Sequence, residues 1–283
     1  MAHVLLTMPK LDFDPTEVAV SWLVLRQRGH RISFATPDGK AGQCDPIMIH
    51  GRGLDPWGFI PGLNRVRLVG LILRANKVAR QAYRQMLADA AFASPAHWSD
   101  LRASDYDALL LPGGHRARGM REYLESETLQ HLVAEFFAAD KPVAAICHGA
   151  LLAARSKNAA GHSVLHGRKT TALTWKLERS ADVTAHLVRF WDRHYYRTYP
   201  DEPGQPTGYM SVQREVTRLL ASPGDFLDVP VTDANYRRRT SGMARDTIDD
   251  SGSSFVTATT YRHAGPVTHT RLQRPLTKCS ARK

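Results

Sequence analysis

Three shortages narrow the reading of this chain before any motif is found. Cysteine is scarce: Cys44, Cys147 and Cys279 are odd in number and widely spaced over 283 residues, which argues against a disulfide framework or a CxxC metal knuckle and makes a reducing, cytoplasmic setting the expectation. Long apolar runs are missing too. The most apolar helical stretch, Val66 to Leu73, is interrupted by Arg67 and followed by Arg74, far short of the ~20 residues of a membrane span. The opening residues Met1 to Pro9 lack a basic lead-in, and their apolar run is too short for a signal sequence. No membrane partner is therefore expected. Acid is also in deficit, with 27 Asp and Glu against 38 Lys and Arg, for a net charge of +11. Six of those eleven charges fall in residues 257–283, which contain no acid, so the tail rather than a folded surface carries most of the excess and nucleic acid is not an expected partner. A second basic stretch, Arg65 to Arg84, interleaves its charges with apolar positions and reads as the solvated face of an amphipathic helix.

What is present is an alternation of short buried strands and amphipathic helices, with enough apolar residues (43%) to fill a sizeable core. Residues 3–8 read as a buried strand. Asp14-Pro15-Thr16-Glu17 opens a helix whose apolar positions Val18, Trp22 and Leu25 recur at helical spacing until Gly29, and residues 31–36 form the next strand, closed by Pro37-Asp38-Gly39. From Lys40 to about Asp105 the pattern breaks into glycine and proline, then a long helical stretch from about Leu63 to Ala88. An insertion of this size predicts a helical lid over the carboxyl edge of the sheet, where open α/β folds place ligands. The alternation then resumes: strand Tyr106 to Leu111, helix Glu127 to Ala139, strand Val143 to Ile146, a helix after Gly149, strand Lys169 to Leu173 and helix Ser211 to Ala221. Strand–helix–strand order of this kind predicts a doubly wound, mostly parallel sheet with helices on both faces and one insertion. No internal repeat or low-complexity block is seen.

Two strand ends carry the chemistry. The strand Val143-Ala144-Ala145-Ile146 runs into Cys147-His148-Gly149, a turn that lifts the cysteine above the sheet beside a helix N-terminus, where a thiolate is favoured. A lone cysteine on an apolar segment is more often buried filler than a nucleophile. Gly149, which gives the turn room, and the adjacent base His148 shift the balance. The other strand end, Leu109-Leu110-Leu111-Pro112-Gly113-Gly114-His115, supplies a glycine pair whose amides are free to face a ligand. Together they suggest an oxyanion site. His115 and His148 are also metal-ligand types, but with no spaced partner they are read in supporting roles and no metal is expected.

With both turns identified, residues 2–256 resemble the DJ-1/PfpI superfamily, closest to its Hsp31-like branch. The matching features are Glu17 in the first helix, the Pro112-Gly113-Gly114-His115 turn, and the Ala145-Ile146-Cys147-His148-Gly149 elbow. The resemblance implies a flavodoxin-like fold over residues 1–256 with the insertion at about 40–105, and Cys147 as nucleophile with Glu17 reaching its sulfur. It further implies an oxyanion hole from the amides of Gly114 and His148, and a Cys-His-acid arrangement completed by Glu178, with Asp182 as the alternative. For Glu17 the physical reading agrees: a carboxyl near a thiolate in a water-poor site should have a raised pKa and can then move protons. The implied activity is cofactor-free and glyoxalase III-like, converting methylglyoxal or a related 2-oxoaldehyde to a 2-hydroxy acid. A PfpI-like peptidase or hydrolase and a stress-responsive holding chaperone, binding clients through the insertion, are the alternatives. A homodimer is implied. Class I glutamine amidotransferases, which lie near this family, place their catalytic histidine in a His-x-Glu motif; no histidine here is followed two positions later by Glu, so glutaminase activity is not expected.

The tail departs from the resemblance. In that branch the sheet ends with a segment close to DGNYVSARWPGDAH and a closing helix, whereas this chain reads TATTYRHAGPVTHT from Thr257 to Thr270. A DNA sequence for the family segment, with codons chosen among synonyms, gives the observed residues when read one base later. A single-base shift after Val256 is therefore expected, leaving residues 257–283, including Cys279, poorly packed and without a selected function. Sequencing the DNA around codon 256 checks this: the shifted frame should restore a family-like ending, and its failure to do so removes the idea.

Overall fold

The computed structural model describes residues 1–192, 195 and 211–227; the tail 257–283 and its frame lie outside them. The chain runs β1 (His3–Thr7), β2 (Leu11–Phe13), α1 (Pro15–Gln27), β3 (Arg31–Thr36), β4 (Gln43–Cys44), α2 (Pro46–His50), α3 (Val69–Leu73), α4 (Lys77–Met86), α5 (Ala90–Ala93) and β5 (Ala96–His97). It continues with β6 (Ala108–Leu111), α6 (Ala117–Glu125), α7 (Glu127–Ala138), β7 (Val143–Ala145), α8 (Gly149–Arg155), α9 (Trp175–Val188) and α10 (Val212–Leu219). Five strands pair in parallel in the order β5-β3-β1-β6-β7, and β2 pairs with β4 beside them. The result is a doubly wound α/β sandwich.

The two-residue period of β1 sorts its side chains onto two cores. Val4 and Leu6 pack with Val18 and Trp22 of α1 and with Ala79, Ala82 and Met86 of α4. Leu5 faces the other way, joining Leu109 and Leu111 of β6 to Val133 and Phe136 of α7 and Leu151 of α8. Strands buried on both faces explain why the sequence reads as apolar runs rather than alternation. Helix α1 begins where the Asp14 side chain accepts the amides of Thr16 and Glu17, with Pro15 at its first position, and the chain turns away at Gly29, whose φ is 77°.

Four of the differences from the sequence reading have a local physical reason. The stretch from Leu63 to Ala88 is not one helix: a single turn at Leu63–Arg65 ends in extended backbone at Val66 before α3, and α3 is separated from α4 at Arg74 to Asn76, where the Asn76 side chain caps the new helix by accepting the Ala79 amide at 2.9 Å. Inside the insertion, Ala96–His97 adds an edge strand against Ala35 and Thr36 that two residues of sequence pattern could not announce. Lys169 to Leu173 forms no strand among the described residues; Lys169 and Thr170 are bridge residues only, Thr170 opposite Phe226. Helix α6 escaped the pattern because Gly119 interrupts it. That glycine is needed for close packing, since a Cβ there would lie 1.7 Å from the Leu11 carbonyl oxygen.

The same logic governs Gly149, where a Cβ would lie 2.2 Å from the Leu111 oxygen and 2.7 Å from the Pro112 oxygen. Gly149→Ala must push α8 off the β6 turn, and urea denaturation should register a loss of about 1–3 kcal/mol.

Candidate active site

At the carboxyl ends of β6 and β7 two turns meet. Cys147 follows β7 with φ at 52°, a left-handed conformation that costs a non-glycine residue roughly 1–3 kcal/mol. Helix α8 begins two residues later, so the Cys147 side chain stands at the helix N-terminus rather than continuing the strand. Its sulfur lies 3.3 Å from His148 Nδ1 and receives the His148 backbone N–H. The turn after β6 approaches so closely that a Cβ on Gly113 would sit 2.8 Å from the His148 nitrogen.

Glu17 reaches this junction from the first turn of α1. The Asp14 amide donates to the Gly113 carbonyl at 3.1 Å, which ties the start of the helix to the β6 turn. In return the Gly113 N–H donates to Glu17 Oε2 at 2.6 Å, and the carboxyl also hydrogen-bonds the Cys147 side chain. Burial, reinforced by the nearby Asp14 charge, pushes Glu17 up to about 8, so it is mostly protonated at neutral pH. Since Oε2 accepts an amide, the proton belongs on Oε1.

The thiol does not follow the sequence expectation of a stabilised thiolate. Burial pushes the Cys147 thiol well above its ordinary range, and the charges of Glu17 and Asp14 push it further; the His148 amide opposes them without prevailing. A helix start of seven residues cannot offset desolvation in this site. With Glu17 protonated its share of that repulsion disappears, so the two acids are coupled through one proton. Cys44 is different in kind: it is buried against Tyr83, and its thiol is pushed up to about 12 by burial, with the charges of Asp14, Asp45 and Asp12 adding to the rise.

His148 is buried, and burial together with the neighbouring His115 lowers it to about 3, so its ring is neutral. Its Nε2 lies 3.9 Å from Glu178 Oε1, a polar contact between a neutral ring and a carboxyl rather than an ion pair. Glu178 sits in the first turn of α9, is itself buried, and accepts the Val212 amide at 2.9 Å with its other oxygen. Asp182 is one turn further along, 3.3 Å from His186. The fold thus brings Cys147, His148, Glu178 and Glu17 together, with the Gly113-Gly114 turn beside them.

The sequence reading missed a polar cluster behind His115. Asp45 is fully buried and accepts from the Tyr195 hydroxyl at 2.8 Å and from the Ile47 amide at 2.9 Å, with His115 Nε2 at 3.3 Å. Burial alone would raise Asp45, but His115, Tyr195 and the Ile47 amide outweigh it and hold the carboxyl below its usual range. Arg116 and Arg189 lie over the Tyr195 ring at 5.4 and 4.6 Å. Asp45-Pro46 repeats the Asp14-Pro15 helix-start signal and was legible as a cap; nothing in the sequence marks Tyr195. Among the described residues no group of three or more His, Cys, Asp or Glu is arranged to hold a metal ion.

A doubly wound α/β protein with a cysteine on a left-handed strand-to-helix elbow is the class that this geometry defines. The family model described as ThiJ/PfpI family-like matches residues 8–202, and the chain belongs to the ThiJ/PfpI family. Protein DJ-1 homolog D of Arabidopsis thaliana is 34% identical over 158 residues, covering 55% of this chain and 31% of that protein. General stress protein 18 of Bacillus subtilis is 37% identical over 75 residues, 26% of this chain and 38% of that one. The chain spans less than half the length of these curated relatives. The crystal structure of glyoxalase III from Candida albicans aligns with a TM-score of 0.50 at 16% identity, covering 80% of this chain and 82% of that one, a likeness of fold alone. No helix among the described residues is long and apolar enough to cross a membrane.

The opposite shifts of Glu17 and His148 give stability a maximum in pH. Between about 4.5 and 8 the folded state keeps a Glu17 proton that the unfolded chain releases, so stability falls as pH rises through that window, by an amount on the order of a few kcal/mol. From about 6.5 down to 3 the unfolded chain takes up a His148 proton that the folded state refuses, so stability falls as pH drops. Melting temperature against pH should therefore peak between about 4.5 and 6.5, and Glu17→Gln should flatten the alkaline side.

Proposed function

We propose that this protein is a cofactor-independent cysteine enzyme that converts methylglyoxal or a related small 2-oxoaldehyde to a 2-hydroxy acid, a glyoxalase III-like reaction. The observation that carries this reading is the contact between the Cys147 side chain and a Glu17 carboxyl pushed up to about 8. A nucleophile paired with an acid that both gives and takes a proton near neutral pH suits an isomerisation between adjacent carbons.

In this reading the Cys147 sulfur adds to the aldehyde carbon while the thiol proton passes, by way of His148 Nδ1 at 3.3 Å, to the former carbonyl oxygen. The product is a hemithioacetal. Charge developing on that oxygen faces the Gly114 and His148 amides. Glu178, 3.9 Å from His148 Nε2, is a positioning residue that keeps the ring turned toward the sulfur. Glu17 as carboxylate then removes the proton from the carbon bearing sulfur, and the electron pair of that bond moves into an enediolate whose charge lies on the oxygen of the neighbouring carbon. The same carboxyl returns a proton to the neighbouring carbon while the hydroxyl proton on the carbon bearing sulfur passes to the neighbouring oxygen, leaving a thioester of the 2-hydroxy acid. Water attacks the thioester carbonyl, the carbon–sulfur bond breaks, and sulfur recovers its proton. One water is consumed and no electrons are exchanged with any other species, so the residues alone suffice. A homodimer in the cytoplasm is the setting this reading expects, where the thiol stays reduced.

Assaying methylglyoxal loss without glutathione tests the proposal. Cys147→Ser should abolish turnover, and Glu17→Gln should lower kcat by about 10²–10⁴-fold with little change in KM. Undiminished turnover by Cys147→Ser would exclude the mechanism.

A further inference from the structure

The insertion presents an apolar surface outward and holds it there. Over residues 63–73 the side chains of Leu68 and Ile72 are 63% and 82% exposed, and those of Leu63, Val66 and Leu71 are about half exposed. Contiguous apolar exposure of this kind on a folded protein marks an interaction site more often than chance. The backbone beneath is rigidly anchored. The buried carboxylate of Asp55 accepts the amides of Leu68, Val69 and Gly70 at 2.9, 2.7 and 3.2 Å, fixing the start of α3. Gly51 and Gly70 pack so tightly that a Cβ on either would fall within 2.1 Å of the other's carbonyl oxygen. The Trp57 indole donates to the Val66 carbonyl at 2.9 Å. A buried carboxylate, a glycine pair and an indole hold a segment whose apolar side chains remain outside.

Apart from the buried Asp55, the charge in the sequence flanking these side chains is of one sign. Residues 56–88 contain no Asp or Glu, while Arg65 lies between Leu63 and Val66, Arg74 follows Leu73, and the exposed Lys77 and Arg84 lie on α4. We infer that residues 63–73 form a docking surface for an anionic lipid bilayer, the apolar side chains entering the headgroup boundary and the neighbouring cations meeting lipid phosphate. A second copy of the chain on this patch would bring Arg65 and Lys77 near their own counterparts, a like-charge contact that a two-fold interface cannot avoid if it is centred here. The missing membrane span in the sequence does not bear on this surface, since peripheral binding needs none, and the patch becomes visible only once folding has shown which side chains stay outside.

Flotation of the full chain with vesicles tests this. Binding is expected to vesicles of phosphatidylcholine with phosphatidylglycerol, and neither to phosphatidylcholine alone nor at high salt. The double variant Leu68→Ser with Ile72→Ser keeps every charge and should bind about tenfold more weakly or worse. Amide exchange over residues 63–73 should slow in the wild type when anionic vesicles are added, which gives a readout independent of any variant. Failure of the wild type to float overturns the proposal, as does equal binding by the double serine variant, which would assign the affinity to general positive charge. Loss of a dimer, or loss of protection of an unfolded client, in that variant with flotation unchanged would give the surface to another partner and also overturn it.

Discussion

The site depends on the interlock of two turns at the carboxyl edge of the sheet. Gly149 lets the start of α8 rest on the Leu111 and Pro112 carbonyls, and Gly113 lets the β6 turn approach the His148 amide, the Ile146 carbonyl and Glu17 at once, each within 3.0 Å of where a Cβ would stand. Neither glycine is used for a positive φ; both are used for the absence of a side chain. The left-handed residue is Cys147 itself, and its strain is tolerated because the surrounding backbone leaves it no other position. Through this interlock the Glu17 carboxyl, far away in sequence, is fixed by a backbone amide of the neighbouring strand end and not by its own helix alone.

A second layer holds the elbow from behind. Arg155 at the end of α8 makes a two-pronged pair with the buried Glu215 of α10, at 2.6 and 3.1 Å. The first amide of α10, that of Val212, is in turn held by Glu178, whose other oxygen faces His148. A carboxylate at a helix N-terminus is a favourable arrangement in its own right, so Glu178 is stabilised where it stands. The helix after Cys147 and the acid beside His148 are thereby coupled: displacing α10 would move both.

The sequence made the architecture legible where strands were buried on both faces and helices carried caps: Asp14-Pro15 before α1, Ser126 before α7 and Ser211 before α10 all accept the amides expected of them. Cys147 and His148 were also legible, because their positions follow from a strand end, whereas Glu17 came from the family resemblance, its place in a first helical turn reading by itself as an acid that favours the helix dipole. Failure came where tertiary packing overrode local pattern. Gly119 sits inside a helix because of its approach to Leu11, and Asn76 splits a run of good helix formers. The polar cluster of Asp45, His115 and Tyr195 joins residues separated by as many as 150 positions, and no local signal pairs them. The resting thiol was misjudged for a related reason: the helix N-terminus is visible in sequence, whereas the burial that outweighs it belongs to the assembled fold.

Two buried carboxyls at this end of the molecule are driven in opposite directions, and the difference assigns their roles. Asp45 is met by a phenol, an imidazole and an amide, so the charged form is fully solvated by protein and holds below its usual range. Glu17 is given one amide and a thiol, and lies near the negative Asp14, so the charged form is starved of donors and the proton stays until near pH 8. A carboxylate whose oxygens are met by donors on both sides is a fixture: it orients His115 and anchors α2 but does not exchange a proton near neutral pH. A carboxyl left short of donors beside a nucleophile is the one able to do so. The opposite directions of Glu17 and Asp45 therefore follow from hydrogen-bond supply rather than burial, since burial alone would have raised both, and the proposed proton carrier is the one of the two that keeps a proton to give.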